Sequence, residues 1–130
     1  MHALQIKEFY ERYIECLNNR DLDQLGQFVN EKLIYNQSPI DLKDYQEMLA
    51  QNFSDIPDLY FDVEFIIPGK NEIASRLNFK CTPSGEFMGI AVNGRRVEFC
   101  EHVFYQLRDG KISEVWSLID KDAIREQIEG

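Results

Sequence analysis

The apolar residues of this chain change their spacing once, close to Pro57. Before that point they recur three and four residues apart, which is typical of one face of a helix. After it they alternate with polar residues, which is typical of half-buried strands. Because the helices come first and the strands follow, the sequence predicts an α+β fold with helices packed on one face of a curved antiparallel sheet.

Three N-terminal helices are expected. The first is predicted over residues 3–18, and Asp21 and Asp41 are each placed to cap a later helix. The apolar stripe of the first helix consists of Ile6, Phe9, Tyr10, Tyr13, Ile14 and Leu17. Between the second and third helices, a short strand is predicted over residues 32–36, and Ser38-Pro39 is expected to break the chain.

The second half of the chain predicts a meander of strands and a closing helix. The strands are expected over residues 59–67, 73–81, 95–108 and 111–120, and the helix over residues 121–128. Asp109-Gly110 is a strong hairpin signal. No linker divides the pattern, so residues 1–130 are predicted to form a single domain. A helix layer over a curved sheet can enclose a ligand cavity.

Charge and composition exclude several classes of function. The chain has 14 Lys and Arg against 23 Asp and Glu, a net charge of −9, which disfavours nucleic acid as a partner. No apolar run approaches the length of a membrane span, and the charged N-terminal pattern does not resemble a signal peptide. Two histidines and three widely spaced cysteines do not indicate a metal site or a disulfide framework. We therefore expect a cytoplasmic protein that uses no metal and no cofactor.

Glu101 interrupts an otherwise apolar strand face. The residues on that face are Val97, Phe99, Glu101, Val103, Tyr105 and Leu107. A carboxylate in such a position is unfavourable unless it is paired, solvated in a cavity or protonated. Buried carboxyl groups with a raised pKa often serve active sites. The alternative is a sheet face that is open to water there, or a cation that pairs with the carboxylate.

Tyr13 is the second candidate for chemistry. It lies on the buried stripe of the first helix, where a hydroxyl group needs a hydrogen-bond partner. The alternative interpretation is an ordinary core tyrosine.

Several segments of the chain resemble a known superfamily. Residues 12–23 resemble the opening helix of the ketosteroid isomerase and nuclear transport factor two superfamily. The segments that resemble its SnoaL-like polyketide (ester) cyclase branch are residues 84–89, 93–99 and 109–112, followed by Trp116 and Asp120. The resemblance covers nearly the whole chain and implies a cone-shaped α+β fold with a deep apolar pocket. This fold hosts enzymes, binding proteins and scaffolds.

The resemblance implies roles for some residues and denies them to others. Tyr13 and Glu101 match the tyrosine and the acid that form the oxyanion hole of ketosteroid isomerases. The isomerase base falls at Asn36, which cannot take a proton at neutral pH. The aspartate that acts as general acid and base in SnoaL-like cyclases falls at Ser117, and a histidine of related ester cyclases falls at Pro83.

The sequence therefore predicts a cyclase or isomerase that acts on a small apolar carbonyl compound through Tyr13 and Glu101. The residues expected to line its pocket are Leu17, Asn36, Tyr45, Met48, Leu49, Phe53, Phe61, Val103, Val115 and Ser117. Two alternatives follow from the sequence: the pocket is open, or side chains such as Phe53 fill it. One alternative is a binding protein without catalysis, and another is a dimeric scaffold. A homodimer is expected to form through the outer sheet face, which carries Phe104, Trp116 and Leu118.

Overall fold

The computed structural model describes residues 2–130. Its helices are α1 (Ala3–Asn18), a 3₁₀ helix (Leu22–Gln27), α2 (Leu42–Asp55) and α3 (Lys121–Glu129). Its strands are β1 (Val29–Tyr35), β2 (Ser38–Asp41), β3 (Asp62–Pro68), β4 (Glu72–Cys81), β5 (Glu86–Phe87), β6 (Ile90–Ala91), β7 (Val97–Arg108) and β8 (Lys111–Ile119). None of the helices within residues 2–130 is both long and apolar enough to span a membrane.

The helical stripe and the capping of α2 follow the sequence prediction. All six residues of the predicted α1 stripe are buried. The Asp41 side chain accepts a hydrogen bond from the Asp44 backbone N–H at 2.8 Å, which satisfies one of the free donors at the start of α2. α1 and α2 therefore present fixed apolar faces to the sheet.

The second helix and the expected chain break differ from the prediction. The second helix is a short 3₁₀ helix, and the Asp21 side chain makes no capping hydrogen bond. Gly26 within it disfavours a longer helix, and the chain enters β1 directly afterwards. Ser38-Pro39 does not break the chain but belongs to β2, an edge strand where proline is tolerated. The turn lies instead at Asn36 and Gln37, whose φ angles are 45° and 72°.

Six strands form one curved sheet in the order β2-β1-β8-β7-β4-β3. The β3, β4, β7 and β8 pairs are antiparallel, as predicted, but β1 runs parallel to β8, so the sheet is mixed. The meander pattern did not reveal this pair, since no hairpin joins the two strands. Register shifts show an extra residue in β3 and another in β8, and such bulges bend strands and increase their twist.

Strand β7 shows how the sheet separates its two faces. Its residues alternate between buried and more exposed positions over the whole strand, and Glu101 takes one of the buried positions. The buried side chains of the helices and of this sheet face form one hydrophobic core. The other face leaves Phe104 and Leu118 exposed to solvent. The core side is where the sheet and helices leave a cavity.

Candidate functional site

A cavity of about 310 Å³ lies between the core side of the sheet and helices α1 and α2. This volume is at the lower end of the range for small-molecule sites, roughly 300–1,000 Å³. The cavity is lined by Tyr13, Leu17, Tyr35, Asn36, Tyr45, Met48, Leu49, Asn52, Ile56, Leu59, Phe61, Leu77, Phe79, Phe87, Met88, Phe99, Glu101, Val103, Tyr105, Val115, Ser117 and Ile119. Most of these side chains are apolar or aromatic, so a ligand there would meet few polar groups.

Glu101 is buried beside this cavity, with 9% of its surface exposed. Strand pairing places Leu77 on one side of it and Ile119 on the other. One carboxylate oxygen, Oε2, accepts a hydrogen bond from the Ser117 hydroxyl, and Oε1 makes none within residues 2–130. No ion pair in that part of the chain involves Glu101. The interpretations that placed this carboxylate in open water or beside a cation are therefore wrong.

Burial determines the acidity of Glu101. The loss of hydration raises the pKa of this carboxyl group above its usual value, and the hydrogen bond from Ser117 lowers the pKa by a smaller amount. A carboxyl group of this kind exchanges protons closer to neutral pH than an exposed glutamate does. It is suited to accept or return a proton during a reaction.

Tyr13 is paired with Tyr45 from α2 across the cavity wall. Their hydroxyl oxygens are 2.6 Å apart, and both side chains are buried. Burial raises the pKa of both phenols, so both remain protonated at neutral pH. One hydroxyl donates its hydrogen to the other, and the second hydrogen remains available to another acceptor. The pair is therefore a hydrogen-bond donor and not a base.

A second tyrosine pair was not foreseen from the sequence. The hydroxyl oxygens of Tyr10 and Tyr105 are 3.1 Å apart, and Tyr105 also lines the cavity. Burial raises the pKa of Tyr10 to about 12. The available signal was that both tyrosines occupy apolar faces, but a pattern along the chain does not show which hydroxyls meet.

Asn36 uses its side-chain amide to join two strands. Its Oδ1 accepts from the Ser117 backbone N–H at 2.8 Å, and its Nδ2 donates to the Ser117 carbonyl oxygen at 3.3 Å. These bonds attach the end of β1 to β8 and set the position of the Ser117 hydroxyl, which donates to Glu101. The side-chain amide of Asn36, which the sequence resemblance places at the isomerase base position, is thus hydrogen-bonded to the Ser117 backbone.

The structure brings most of the predicted pocket residues to one cavity. Those that line it are Leu17, Asn36, Tyr45, Met48, Leu49, Phe61, Val103, Val115 and Ser117. Phe53 does not line it, and its inclusion was wrong. Its ring packs edge-on against Phe61 at 6.2 Å between centroids, and the Arg20 guanidinium lies 4.6 Å from its ring centre. Phe53 therefore supports the cavity wall from behind.

An aromatic wall of the cavity was predicted only in part, because Phe61 was expected to line the pocket but Phe79, Phe87 and Phe99 were not. The rings of Phe79 and Phe99 stack at 5.2 Å, and Phe61 and Phe87 contact these two rings at 5.4 and 5.7 Å. Phe79 and Phe99 are direct partners in the β4–β7 register, which brings their rings together. The sequence showed both as buried strand residues but did not give that register.

Cationic side chains and metal-binding clusters are absent from the described residues at this site. No Lys, Arg or His among residues 2–130 lines the cavity. No group of three or more His, Cys, Asp or Glu in that range is arranged to hold a metal ion. The groups that remain for chemistry are one carboxyl group, several phenols, two amides and one hydroxyl.

Comparisons with known proteins give a consistent family and fold. The family model of the SnoaL-like polyketide cyclases matches residues 7–128. A SnoaL-like polyketide cyclase from Agrobacterium tumefaciens has a crystal structure that is 45% identical in sequence, covers 98% of both chains and has a TM-score of 0.93. A search of curated proteins finds no match.

Two more distant structures share the architecture. TsrD from Streptomyces laurentii is 15% identical over 99% of this chain and 98% of its own, with a TM-score of 0.87. IdmH from Streptomyces antibioticus is 22% identical over 95% of this chain and 98% of its own, with a TM-score of 0.80. At such identities the similarity concerns the fold alone.

Proposed function

The chain belongs to the SnoaL-like polyketide cyclase family, and on this basis we propose that it catalyses cyclisation or isomerisation of a small, largely apolar carbonyl compound. The observation that carries the proposal is a buried carboxyl group, Glu101, beside a cavity that also receives the hydroxyl-bearing side chain of Tyr13. A buried carboxyl group without an ion-pair partner disfavours folding unless its hydrogen bonds compensate, which points to a role in chemistry.

In this proposal Glu101 handles the proton. Its Oε1, which has no hydrogen bond to any of residues 2–130, removes a proton from the carbon next to the carbonyl group. The electron pair of that C–H bond moves to the carbonyl oxygen and gives an enolate. The protonated Glu101 then returns the proton to another carbon in an isomerisation. In a cyclisation the enolate carbon attacks a second carbonyl carbon, and the new alkoxide takes the proton.

Tyr13 stabilises the oxygen that becomes negative. Its hydroxyl and that of Tyr45 form one hydrogen-bonded unit with a hydrogen available for the enolate oxygen. A donor aimed at a developing oxyanion is worth a factor of about 100 to 1,000 in rate. Glu101 in its protonated form can donate to the same oxygen beside Tyr13, which gives the oxyanion pair that the sequence predicts.

The test is proton exchange next to a carbonyl group. The methyl protons of 2-acetylnaphthalene are followed by NMR in D₂O with the wild-type protein, Glu101→Gln and Tyr13→Phe. We expect catalysed exchange with the wild type, none with Glu101→Gln, and a reduced rate with Tyr13→Phe. The control is Glu98→Gln, because Glu98 lies on the same strand but on its exposed face, 3.6 Å from Lys80. Equal exchange rates for wild type and Glu101→Gln would remove Glu101 from the mechanism.

A second candidate is a binding protein with the same cavity and no catalysis. It is favoured by Asn36 and Ser117, because the sequence resemblance places Asn36 at the base position of ketosteroid isomerases and Ser117 at that of SnoaL-like cyclases. Ligand-dependent stabilisation without proton exchange or product would support it, and conversion of a ligand would exclude it.

The outer sheet face supports a separate proposal of a homodimer. Phe104, Trp116 and Leu118 are 57%, 36% and 74% exposed there and form an apolar surface together with Ile67. A two-fold interface would cover this surface. Light scattering at micromolar concentration should give twice the chain mass, and Leu118→Glu should give the monomer. A monomeric wild type would refute the dimer.

We also propose the boundaries of the domain and the cellular compartment of the protein. The family match over residues 7–128 and the single hydrophobic core support one SnoaL-like domain over residues 1–130. All three cysteines are free thiols, which agrees with a reducing compartment such as the cytoplasm.

A further inference from the structure

The cavity has an aromatic end and a phenolic end, with Glu101 between them. Along the buried face of β7 the lining residues are Phe99, Glu101, Val103 and Tyr105 in that order. Phe99 belongs to the four-ring wall with Phe79, and Tyr105 belongs to the tyrosine pair with Tyr10. Residues two apart on a strand are roughly 6.6 Å apart, so a flat ring on Phe99 places its nearest substituent beside Glu101.

The volume of the cavity limits the size of a ligand. An apolar protein cavity of about 150 Å³ holds one benzene ring. The cavity here is about 310 Å³, which is roughly twice that volume. It therefore matches two fused rings with a small substituent, and a third ring would extend outside it.

The charges around the cavity limit the charge of a ligand. Glu101 is the only carboxyl group among the described lining residues, and no cationic side chain in residues 2–130 lines the cavity. The chain as a whole also carries a net charge of −9. A carboxylate or phosphate on the ligand would lose its hydration and face a like charge without a counterion.

We propose that the substrate is a neutral, two-ring aromatic ketone or ester, with its rings on the wall of Phe61, Phe79, Phe87 and Phe99 and its carbonyl group beside Glu101. This proposal rests on the function proposed above and names the substrate class of the same cavity. Aromatic rings packed against aromatic side chains provide the affinity. Free acids are disfavoured because no cationic side chain lines the cavity among residues 2–130. The carbonyl group then lies between Glu101 and the phenols that would stabilise its enolate.

Calorimetric titration with four aromatic probes tests this substrate class. The reference is 2-acetylnaphthalene, and 2-naphthoate has the same rings and a similar size but carries a negative charge. Acetophenone removes one ring and 2-acetylanthracene adds one. We expect 2-naphthoate to bind at least about tenfold more weakly than the reference, and acetophenone about tenfold more weakly because it loses four ring atoms. The three-ring ketone should bind no more tightly than the reference.

Two variants test whether the Glu101 carboxylate causes the weaker binding of 2-naphthoate. In Glu101→Gln the difference between 2-acetylnaphthalene and 2-naphthoate should shrink several-fold, because the like charge is gone. In Glu98→Gln, which removes an exposed carboxylate from the same strand, the difference should stay as in the wild type. Equal binding of the ketone and the acid to the wild type, or tighter binding of the three-ring ketone, would overturn the proposal.

The same probe separates this inference from the proposed function. If 2-acetylnaphthalene binds with the expected preference but its methyl protons do not exchange, the substrate class stands and the catalytic role fails. If exchange occurs but 2-naphthoate binds equally well, the catalytic role stands and the substrate class is wrong.

Discussion

The hydrogen bond between Tyr13 and Tyr45 allows a quantitative test of the cavity wall. The two hydroxyl oxygens are 2.6 Å apart, and both side chains are buried. Each tyrosine is replaced by phenylalanine, singly and together, which keeps the rings and removes only the oxygens. A single replacement leaves the other hydroxyl without its partner, so we expect each to lower the free energy of unfolding by about 1–3 kcal/mol.

The double variant should lose less than the two single variants together. With both oxygens removed, no buried hydroxyl of this pair lacks a partner, and replacing both partners by apolar groups is often nearly neutral. We expect the double variant to be at least as stable as the better single variant, which gives a coupling energy of at least about 1 kcal/mol.

Urea unfolding at pH 7 with linear extrapolation measures these free energies. The control is Tyr60→Phe, because Tyr60 is exposed and should change stability by less than about 0.5 kcal/mol. If the loss in the double variant equals the sum of the two single losses within about 0.5 kcal/mol, the hydroxyls act independently and the reasoning is refuted.

Three further predictions concern other features of the structure. Burial raises the folded-state pKa of Glu101 above 4.5, so the stability contributed by this group is complete at lower pH and is lost as pH rises through the folded pKa. In urea titrations from pH 4 to pH 8, Glu101→Gln should therefore gain stability relative to the wild type. A difference in stability that stays constant with pH would contradict this. Asn36→Asp replaces the amide group that donates to the Ser117 carbonyl oxygen by a carboxylate oxygen. Because this hydrogen bond is exposed to solvent, we expect the free energy of unfolding in urea to fall by about 0.5–1.5 kcal/mol. Unchanged stability would show that the Asn36 amide does not hold β1 to β8. Asp41→Ala removes the α2 cap and should lower the free energy of unfolding by about 1 kcal/mol. The control is Asp21→Ala, which removes no capping hydrogen bond and should have a smaller effect in the same assay. Equal effects of the two substitutions would contradict the capping argument.

The sequence was most informative where one residue type repeats on one face. The α1 stripe and the alternation along β7 depend only on local spacing, so both were predicted correctly. Glu101 was found by the same rule, because it interrupts an apolar face. Local spacing also placed Tyr13 on the inner side of α1.

Features that depend on distant partners could not be predicted in this way. The Tyr10–Tyr105 pair joins residues 95 positions apart, and the Phe79–Phe99 stack depends on the β4–β7 register. Phe53 and Leu49 are both on the buried face of α2, but only Leu49 lines the cavity. Phe53 packs against Phe61 instead, a contact that the pattern within α2 does not show. The parallel pairing of β1 and β8 is equally absent from any local pattern.

That parallel pairing also affects how the chain folds. β1 ends at residue 35 and pairs with a strand that begins at residue 111, so its contacts close a long loop, and such contacts form slowly. The hairpin of β7 and β8 has no such delay. During synthesis β1 can pair with β2 at once, but its other edge has no partner until β8 has left the ribosome. Because Asn36 and Ser117 meet only at this junction, we expect the cavity beside Glu101 to be among the last parts of the molecule to assemble.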